Sequence, residues 1–345
     1  MSRLQYLFLT AVLLSLPACD HPLRDYHESQ EFLGSALHIT LYHTDKATAF
    51  RTFATLWEDF GYLQTMWNPW EAGSLGRINS LLALNREFSA NPSVLPLLEK
   101  ALPLSTASNY LYNPALGKLT ELWGFQGTTS PTGPPPAADQ IQALVAQNPT
   151  LQDIKINGVR MQGTNPALKL DFGTLAKGLA MDRAILTLQQ LGIQQALIRA
   201  GAGVKVLGQR QDQAWQTAIT NPCDSTLLAQ LKLLDGESVF SSSECDQYFD
   251  YKGRRYHHIL DPRTGYPAAD TLLVSVIHPD AATAAAATTA LFVAGPSEWH
   301  AIARRMQLSH VMLIDKQGRV HLTPPMAARI EFSRQPDQLD VRPSL

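Results

Sequence analysis

Hydrophobic and polar residues alternate over residues 37–42 (Leu-His-Ile-Thr-Leu-Tyr), the two-residue period of a half-buried strand. Residues 47–64 switch to helical spacing. So do residues 94–107, where Pro103 is expected to kink or end the helix early. Residues 141–147 read as a short helix. Residues 168–172 read as a strand leading into an amphipathic helix over 175–191, with Leu175, Leu179 and Leu186 on one face and Gly192 as the stop. Short strands over 196–198 and 204–207 flank a Gly201-Ala202-Gly203 turn. Residues 272–277 are a strong β run, 281–293 an alanine-rich helix, and 310–314 with 319–322 a hairpin over Asp315-Lys316-Gln317-Gly318. Residues 127–136 (Gly-Thr-Thr-Ser-Pro-Thr-Gly-Pro-Pro-Pro) form neither helix nor central strand and are expected on the surface. Strands and helices mixed without strict βαβ alternation predict an α+β fold.

The N-terminus has a different pattern. Arg3 precedes an apolar run over residues 6–16, the layout of a secretory signal and shorter than the ~20 apolar residues of a membrane-spanning helix. The run ends in Leu16-Pro17-Ala18-Cys19, which resembles a bacterial lipobox. Residues 1–18 are thus read as a lipoprotein signal peptide cut before a lipidated Cys19, the alternative being an ordinary signal peptide. Asp20 resembles an inner-membrane retention signal. The polar residues 19–32 are expected to be a tether, and the mature domain is expected on the periplasmic side of the bacterial inner membrane.

Length and composition narrow the classes. A chain of 345 residues allows one large domain or two ordinary ones. With 45% hydrophobic and 17% charged residues it can build a core, which excludes disorder. Lys plus Arg is 28 against 30 Asp plus Glu, so the basic footprint of a nucleic-acid binder is missing. Three cysteines exclude a disulfide-stapled mini-fold or a multi-cysteine metal framework. With Cys19 assigned to lipid, an oxidising compartment would permit Cys223 and Cys245 to pair, but sequence gives no distance between them.

Two segments could carry chemistry. In Asp171-Phe172-Gly173-Thr174-Leu175-Ala176-Lys177-Gly178 an extended run ends in an acid, turns through glycine and enters a helix with a lysine in its first turn. Thr174 is a candidate N-cap. Free N–H groups and Lys177 together suit a phosphate, although turns of this kind before helices are common in purely structural settings. In His257-His258-Ile259-Leu260-Asp261-Pro262-Arg263-Thr264-Gly265, Pro262 and Gly265 demand a tight turn just after His258, a proton shuttle near neutral pH or a hydrogen-bonded hairpin histidine. Adjacent histidines in a strand face opposite ways, so the two do not chelate one metal.

Together the segments resemble one family, the ApbE-type flavin transferases (FAD:protein FMN transferases). The family pattern Asp-[Phe/Leu]-Gly-Gly-[Ile/Leu]-Ala-Lys-Gly-Tyr-Ala-x-Asp stands here as residues 171–182, ending at Asp182. His-Ile-[Ile/Leu]-Asp-Pro-x-Thr-Gly-x-Pro matches residues 258–267 without a gap. Leu33-Gly34-Ser35, Ser74-Leu75-Gly76-Arg77-Ile78-Asn79 and Leu122-Trp123-Gly124-Phe125 resemble shorter family elements. The likeness runs over residues 33–332, leaving 333–345 as a tail.

The resemblance implies a T-fold-like duplicated α+β core, with mixed or antiparallel sheets and packed helices. It implies FAD as substrate with Mg²⁺, FMN esterified to a Ser or Thr of a target flavoprotein subunit of the Nqr or Rnf type, and AMP released. It assigns FAD contacts to Leu33, Trp67, Leu111, Tyr112, Asn113, Asp171, Lys177 and Leu260, and places His258 beside the reacting phosphate. Trp67 and Tyr112 are suited to stacking on flat rings, or equally to core packing. For the metal it implies the Thr174 carbonyl and Thr289. Two positions that the family often keeps acidic are Ala285 and Thr288 here. Asp280, five residues before Ala285, is expected to face elsewhere. The phosphate-side loops also depart, reading Arg199-Ala200-Gly201-Ala202-Gly203 and Ser241-Ser242-Ser243. An active transferase, a non-catalytic FAD- or partner-binding relative, and another Mg-independent transferase or FAD pyrophosphatase are the readings left open.

Overall fold

The computed structural model describes residues 23–127, 129–210, 213–221 and 223–342. The signal peptide and Cys19 lie outside the described residues. The chain order begins β1 (Arg24–Phe32), β2 (Ser35–Thr44), α1 (Lys46–Trp67), α2 (Ser74–Leu82), β3 (Phe88–Ser89), α3 (Leu95–Ala107), α4 (Gly117–Trp123) and α5 (Ala138–Ala146). It continues through β4 (Ile154–Asn157), β5 (Arg160–Gly163), α6 (Thr174–Gln190), β6 (Ala196–Ala200), β7 (Gly203–Leu207), β8 (Trp215–Thr220) and β9 (Leu227–Leu233). Then come β10 (Ser238–Ser243), β11 (Tyr248–Tyr251), β12 (Arg254–His257), β13 (Thr271–His278) and α7 (Ala281–Arg305). The chain closes with β14 (His310–Asp315), β15 (Val320–Leu322), α8 (Pro324–Ala327), β16 (Ile330–Phe332) and β17 (Leu339–Val341).

Nine strands form one sheet in the order β1-β2-β6-β7-β10-β13-β14-β15-β17, all antiparallel except β15 with β17. The period of two decides its faces. Along β13, Val274 and Val276 enter the core under α1, α3, α6 and α7, while Leu273 and Ile277 pack on the opposite side with Trp215, Leu231 and Leu233 of β8 and β9. Helix α1 buries Ala49, Phe53, Leu56, Phe60, Leu63 and Trp67, and Asp45 caps its first amides at 3.0 and 3.1 Å. A third apolar cluster joins Leu119 and Trp123 of α4 and Ile141 of α5 to Phe249, Tyr256 and Leu260 of the β11–β12 region.

Several expectations need correction. Residues 24–32 are no tether but β1, an edge strand whose exposed faces explain its polar sequence. Leu33 and Gly34, with φ of 45° and 71°, make the two-residue turn that pairs Phe32 with Ser35. The tail is likewise anchored, since β17 pairs with β15 and Asp340 accepts from His321 at 3.2 Å. Helix α3 runs through Pro103 to Ala107. Pro103 sits on the exposed side, where the ring meets solvent rather than the core.

Residues 168–172 form no strand beyond a bridge from Lys169 to Leu116. A side chain replaces the missing neighbour: buried Asn79 accepts the Leu170 N–H at 2.7 Å and donates to its carbonyl at 2.9 Å. Thr174 is not the N-cap of α6, because Gly173 occupies that place with φ 54°. Leu186 is exposed, and the buried stripe of α6 continues through Ile185 and Leu188.

Candidate active site at the start of helix α6

The turn into α6 is held by its own acid. Asp171 Oδ1 accepts the Gly173 N–H at 3.0 Å, and the Asp171 amide donates to Pro114 O at 2.8 Å. Burial pushes the Asp171 carboxyl up, opposed by the Gly173 amide and by Lys177. Three residues into the helix, the Lys177 ammonium donates to Ser35 Oγ at 2.5 Å. Burial pushes Lys177 down, while Asp171 and then Asp246 hold its charge. The Leu33-Gly34 turn thus aims Ser35 at the helix start. Gly201, at the β6–β7 turn, lies close enough that a Cβ there would stand 3.3 Å from Ser35 Oγ.

The second motif reaches the same place. The β11–β12 ladder pairs Tyr248 with His257, and His258 extends it by one bond, N–H to Gln247 O at 3.0 Å. His258 Nδ1 also faces Gln247 O at 3.3 Å; a carbonyl only accepts, so Nδ1 carries the hydrogen and Nε2 is the free basic nitrogen. Burial lowers the His258 pKa, Asp246 and the Gln247 carbonyl oppose this, and Lys177 adds to it. Lys177 and His258 therefore share one electrostatic environment. His257 points the other way, buried with its Nε2 bonded to Ala268 O at 2.8 Å.

The remaining expected residues divide. Tyr112 is beside the turn, its hydroxyl donating to Phe172 O at 3.2 Å, its phenol pushed well up by burial and by Asp171. Trp67 is 1% exposed in the main core with its indole N–H spent on Ser93 O, so core packing rather than stacking is its role in this structure. Leu111 is buried in that core and Leu260 in the third cluster. Asn113 shapes its own loop, donating to Pro149 O and accepting from the Ala115 amide. Leu33 offers its backbone N–H to Gln64 at 2.6 Å. Asp261 is locked in the turn by Arg263 at 2.8 Å rather than by His258.

The expected metal set is built of neutral oxygens. Thr174 Oγ1 donates to Ala285 O at 3.5 Å, Thr288 Oγ1 donates to the same carbonyl at 2.9 Å, and Ser242 Oγ donates to Thr288 Oγ1 at 2.8 Å. Thr289 is half-buried. Asp280, expected to face elsewhere, caps α7 and pairs with Lys100 at 2.6 Å. Mg²⁺ is usually held through at least one carboxylate. Among the described residues no hydrogen bond brings a carboxylate to these oxygens, and the hydroxyls of Thr174, Thr288 and Ser242 are already engaged with one another or with the Ala285 carbonyl, so the residues present do not fit a resident Mg²⁺. Among the described residues, one group of three His, Cys, Asp or Glu side chains gathers at metal-ligand range, Cys223, Glu244 and Cys245, and its two sulfurs are joined in a disulfide.

A groove of about 1010 Å³ is lined by Trp70, Glu71, Arg77, Lys118, Glu121 and Lys169 among others, and Asp171, Lys177 and His258 are not part of its wall. Its Lys169 stacks over Trp70 at 4.7 Å and pairs with Glu121 at 2.9 Å. The groove therefore joins flat aromatic surface to charged groups two residues from Asp171.

Residues 33–313 match the model of the ApbE family. The chain belongs to that family. It is 32% identical to a Klebsiella pneumoniae FAD:protein FMN transferase over 90% of this chain and 95% of the relative. It is 35% identical to a Rhodobacter capsulatus FAD:protein FMN transferase, again over 90% of this chain, but it spans only 59% of that relative's length. Among solved structures, Pseudomonas stutzeri flavinyl transferase ApbE is 26% identical, with TM-score 0.75 over 91% of this chain and 96% of that one. A Thermotoga maritima ApbE protein, 24% identical, shares the fold with TM-score 0.80 over 90% of this chain and 100% of that one.

Some features of the site lay outside the sequence reading. Asp246 belongs to no motif. Asn79 was visible only as the end of a short pattern, and the part of Asp182 at the start of α7 only as the end of a long one.

Proposed function

We propose that this protein is an FAD:protein FMN transferase that esterifies FMN to a Ser or Thr hydroxyl of a target flavoprotein subunit. The observation that carries the reading is the convergence of Lys177, at the start of α6, with His258 around one buried polar site. Phosphoryl transfer needs charge stabilisation and a proton acceptor in line with the attacking oxygen. The positive end of the α6 dipole and the Lys177 ammonium supply the first. His258 Nε2, freed by the Nδ1 contact with Gln247, supplies the second. The acceptor oxygen bonds to the FMN phosphorus, the bond to the AMP oxygen breaks, and the hydroxyl proton passes to His258. No step is routed through a metal, because the neutral oxygens at Thr174, Ala285 and Thr288 do not fit one.

The acceptor class of Nqr- or Rnf-type subunits rests on the family resemblance. The periplasmic, Cys19-anchored location is supported by the lipobox-like sequence and by the Cys223–Cys245 bridge, which suits an oxidising compartment. Among the described residues no helix is long and apolar enough to cross a membrane.

The test is to incubate the full chain with FAD, Mg²⁺ and a purified acceptor subunit and follow the FMN mass increment on the acceptor. Wild type should add FMN, and Lys177→Ala and His258→Ala should each lose it. Tight flavin binding without any increment would replace this reading with that of a non-catalytic FAD-binding relative.

A further inference from the structure

Residues 244–247 connect β10 to β11 and run beside His258, and each is tied separately. Glu244 pairs with Lys316. Cys245 is bridged to Cys223, and its sulfur accepts from Arg255 Nη1 at 2.9 Å. Asp246 Oδ2 accepts the Ser243 N–H at 3.1 Å. Gln247 O receives the His258 amide at 3.0 Å.

An exposed aspartate is ordinarily a mobile surface charge. Here the loop is fixed on both sides of Asp246, and the ladder register sets its neighbour Gln247 opposite His258. The negative charge of Asp246 favours the protonated forms of two groups from separate elements, Lys177 of α6 and His258 after β12. We propose that Asp246 is a positioning residue of the transfer site, its charge beside the Gln247–His258 contact favouring the imidazole in the form that has received the acceptor's proton, with the Cys223–Cys245 bridge fixing its loop. The activity arm of this inference rests on the transferase reading; the structural arm does not.

The groups facing His258 are Asp246 and the Gln247 carbonyl from the loop, Lys177 from α6, the Phe125 ring at 6.5 Å and the adjacent His257. Asp171 acts through Lys177. Asp246 opposes both burial and Lys177, so removing its charge makes the imidazole less basic. Asp246→Asn keeps the shape and an acceptor for the Ser243 amide. Asp250→Asn, on β11 and paired with Arg255 at 3.2 Å, is the control.

In an NMR titration of the His258 ring protons in the full chain, Asp246→Asn should lower the midpoint by about half a pH unit or more, and Asp250→Asn should leave it within about 0.2 unit. Reducing the disulfide should lower the wild-type midpoint and leave that of Asp246→Asn unchanged. In FMN transfer from FAD to a purified acceptor subunit, the acid limb of the kcat/KM profile for Asp246→Asn should move to lower pH by the same amount. Equal midpoints in wild type and Asp246→Asn, or an equal shift in Asp250→Asn, would overturn the proposal. Should wild type itself fail to transfer FMN, the transferase reading falls, while the imidazole titration still decides the place of Asp246.

Discussion

Asp182 closes the longer sequence motif, yet its carboxylate serves the junction of two helices. Oδ1 and Oδ2 accept the Ala281 and Ala282 amides, each at 3.1 Å, at the start of α7. Oδ1 also pairs at 2.8 Å with Lys205, whose side chain is 5% exposed. Asp182→Asn keeps one acceptor, turns an NH₂ toward donors and leaves a buried ammonium without its countercharge. Breaking a buried pair in this way costs about 3–5 kcal/mol, and hydrogen bonds to a charged group are worth about 1.5–3 kcal/mol each. Lys205 keeps the carbonyls of Gly236 and Pro279 at 3.1 and 2.6 Å, and Asp182 is 20% exposed. The lower end, about 3 kcal/mol, is therefore expected, a large part of the roughly 5–15 kcal/mol of a typical fold. Urea unfolding of the full chain at pH 7 measures it. Asp182→Asn with Lys205→Met removes the orphaned charge as well and should regain about 1–2 kcal/mol. A loss below about 1 kcal/mol for the single variant, or a double variant no more stable than the single, would refute the account.

Three further outcomes follow from the structure. Burial pushes His257 down to about 4 from an ordinary 6.5, so between those values the unfolded chain binds the extra proton. Stability is accordingly lost as pH falls from about 6.5 toward 4, by about 3 kcal/mol from this group, and the gap between the urea midpoints at pH 7 and 4.5 should narrow in His257→Gln. Gly178→Ala should lower stability by about 1–3 kcal/mol in a thermal melt, since a Cβ there would meet backbone atoms of Ala281 and Ala282 at 2.5–2.7 Å and force α6 from α7. Ala285 is fully buried, so Ala285→Asp should destabilise the metal-free chain, and Mg²⁺ should raise the Tm of the variant and leave that of wild type unchanged; equal Mg²⁺ responses would refute the neutral-oxygen reading.

What the sequence determined by itself was local. The apolar spacing of α1, the alternation of β2, the β run of β13, the alanine run of α7 as far as its break at Gly295 (φ 66°) and the stop at Gly192 each depend on neighbours a few residues apart, and each stands in the structure within a few residues. The turn glycines and the run from His258 to Gly265 are legible for the same reason, because a tight turn admits few residue types. Tertiary structure decided what depends on distant partners. Polar β1 became a strand because β2 offered it a free edge, and residues 168–172 reached no more than a bridge to Leu116 on one side because Asn79 filled the strand's place on the other. Cys223 met Cys245 only when the β8–β9 turn folded beside the end of β10. Asp182 gained its partners through packing of α6 on α7, and the loop of Asp246 met His258 through the Gln247 carbonyl, contacts that leave no periodic trace in the chain.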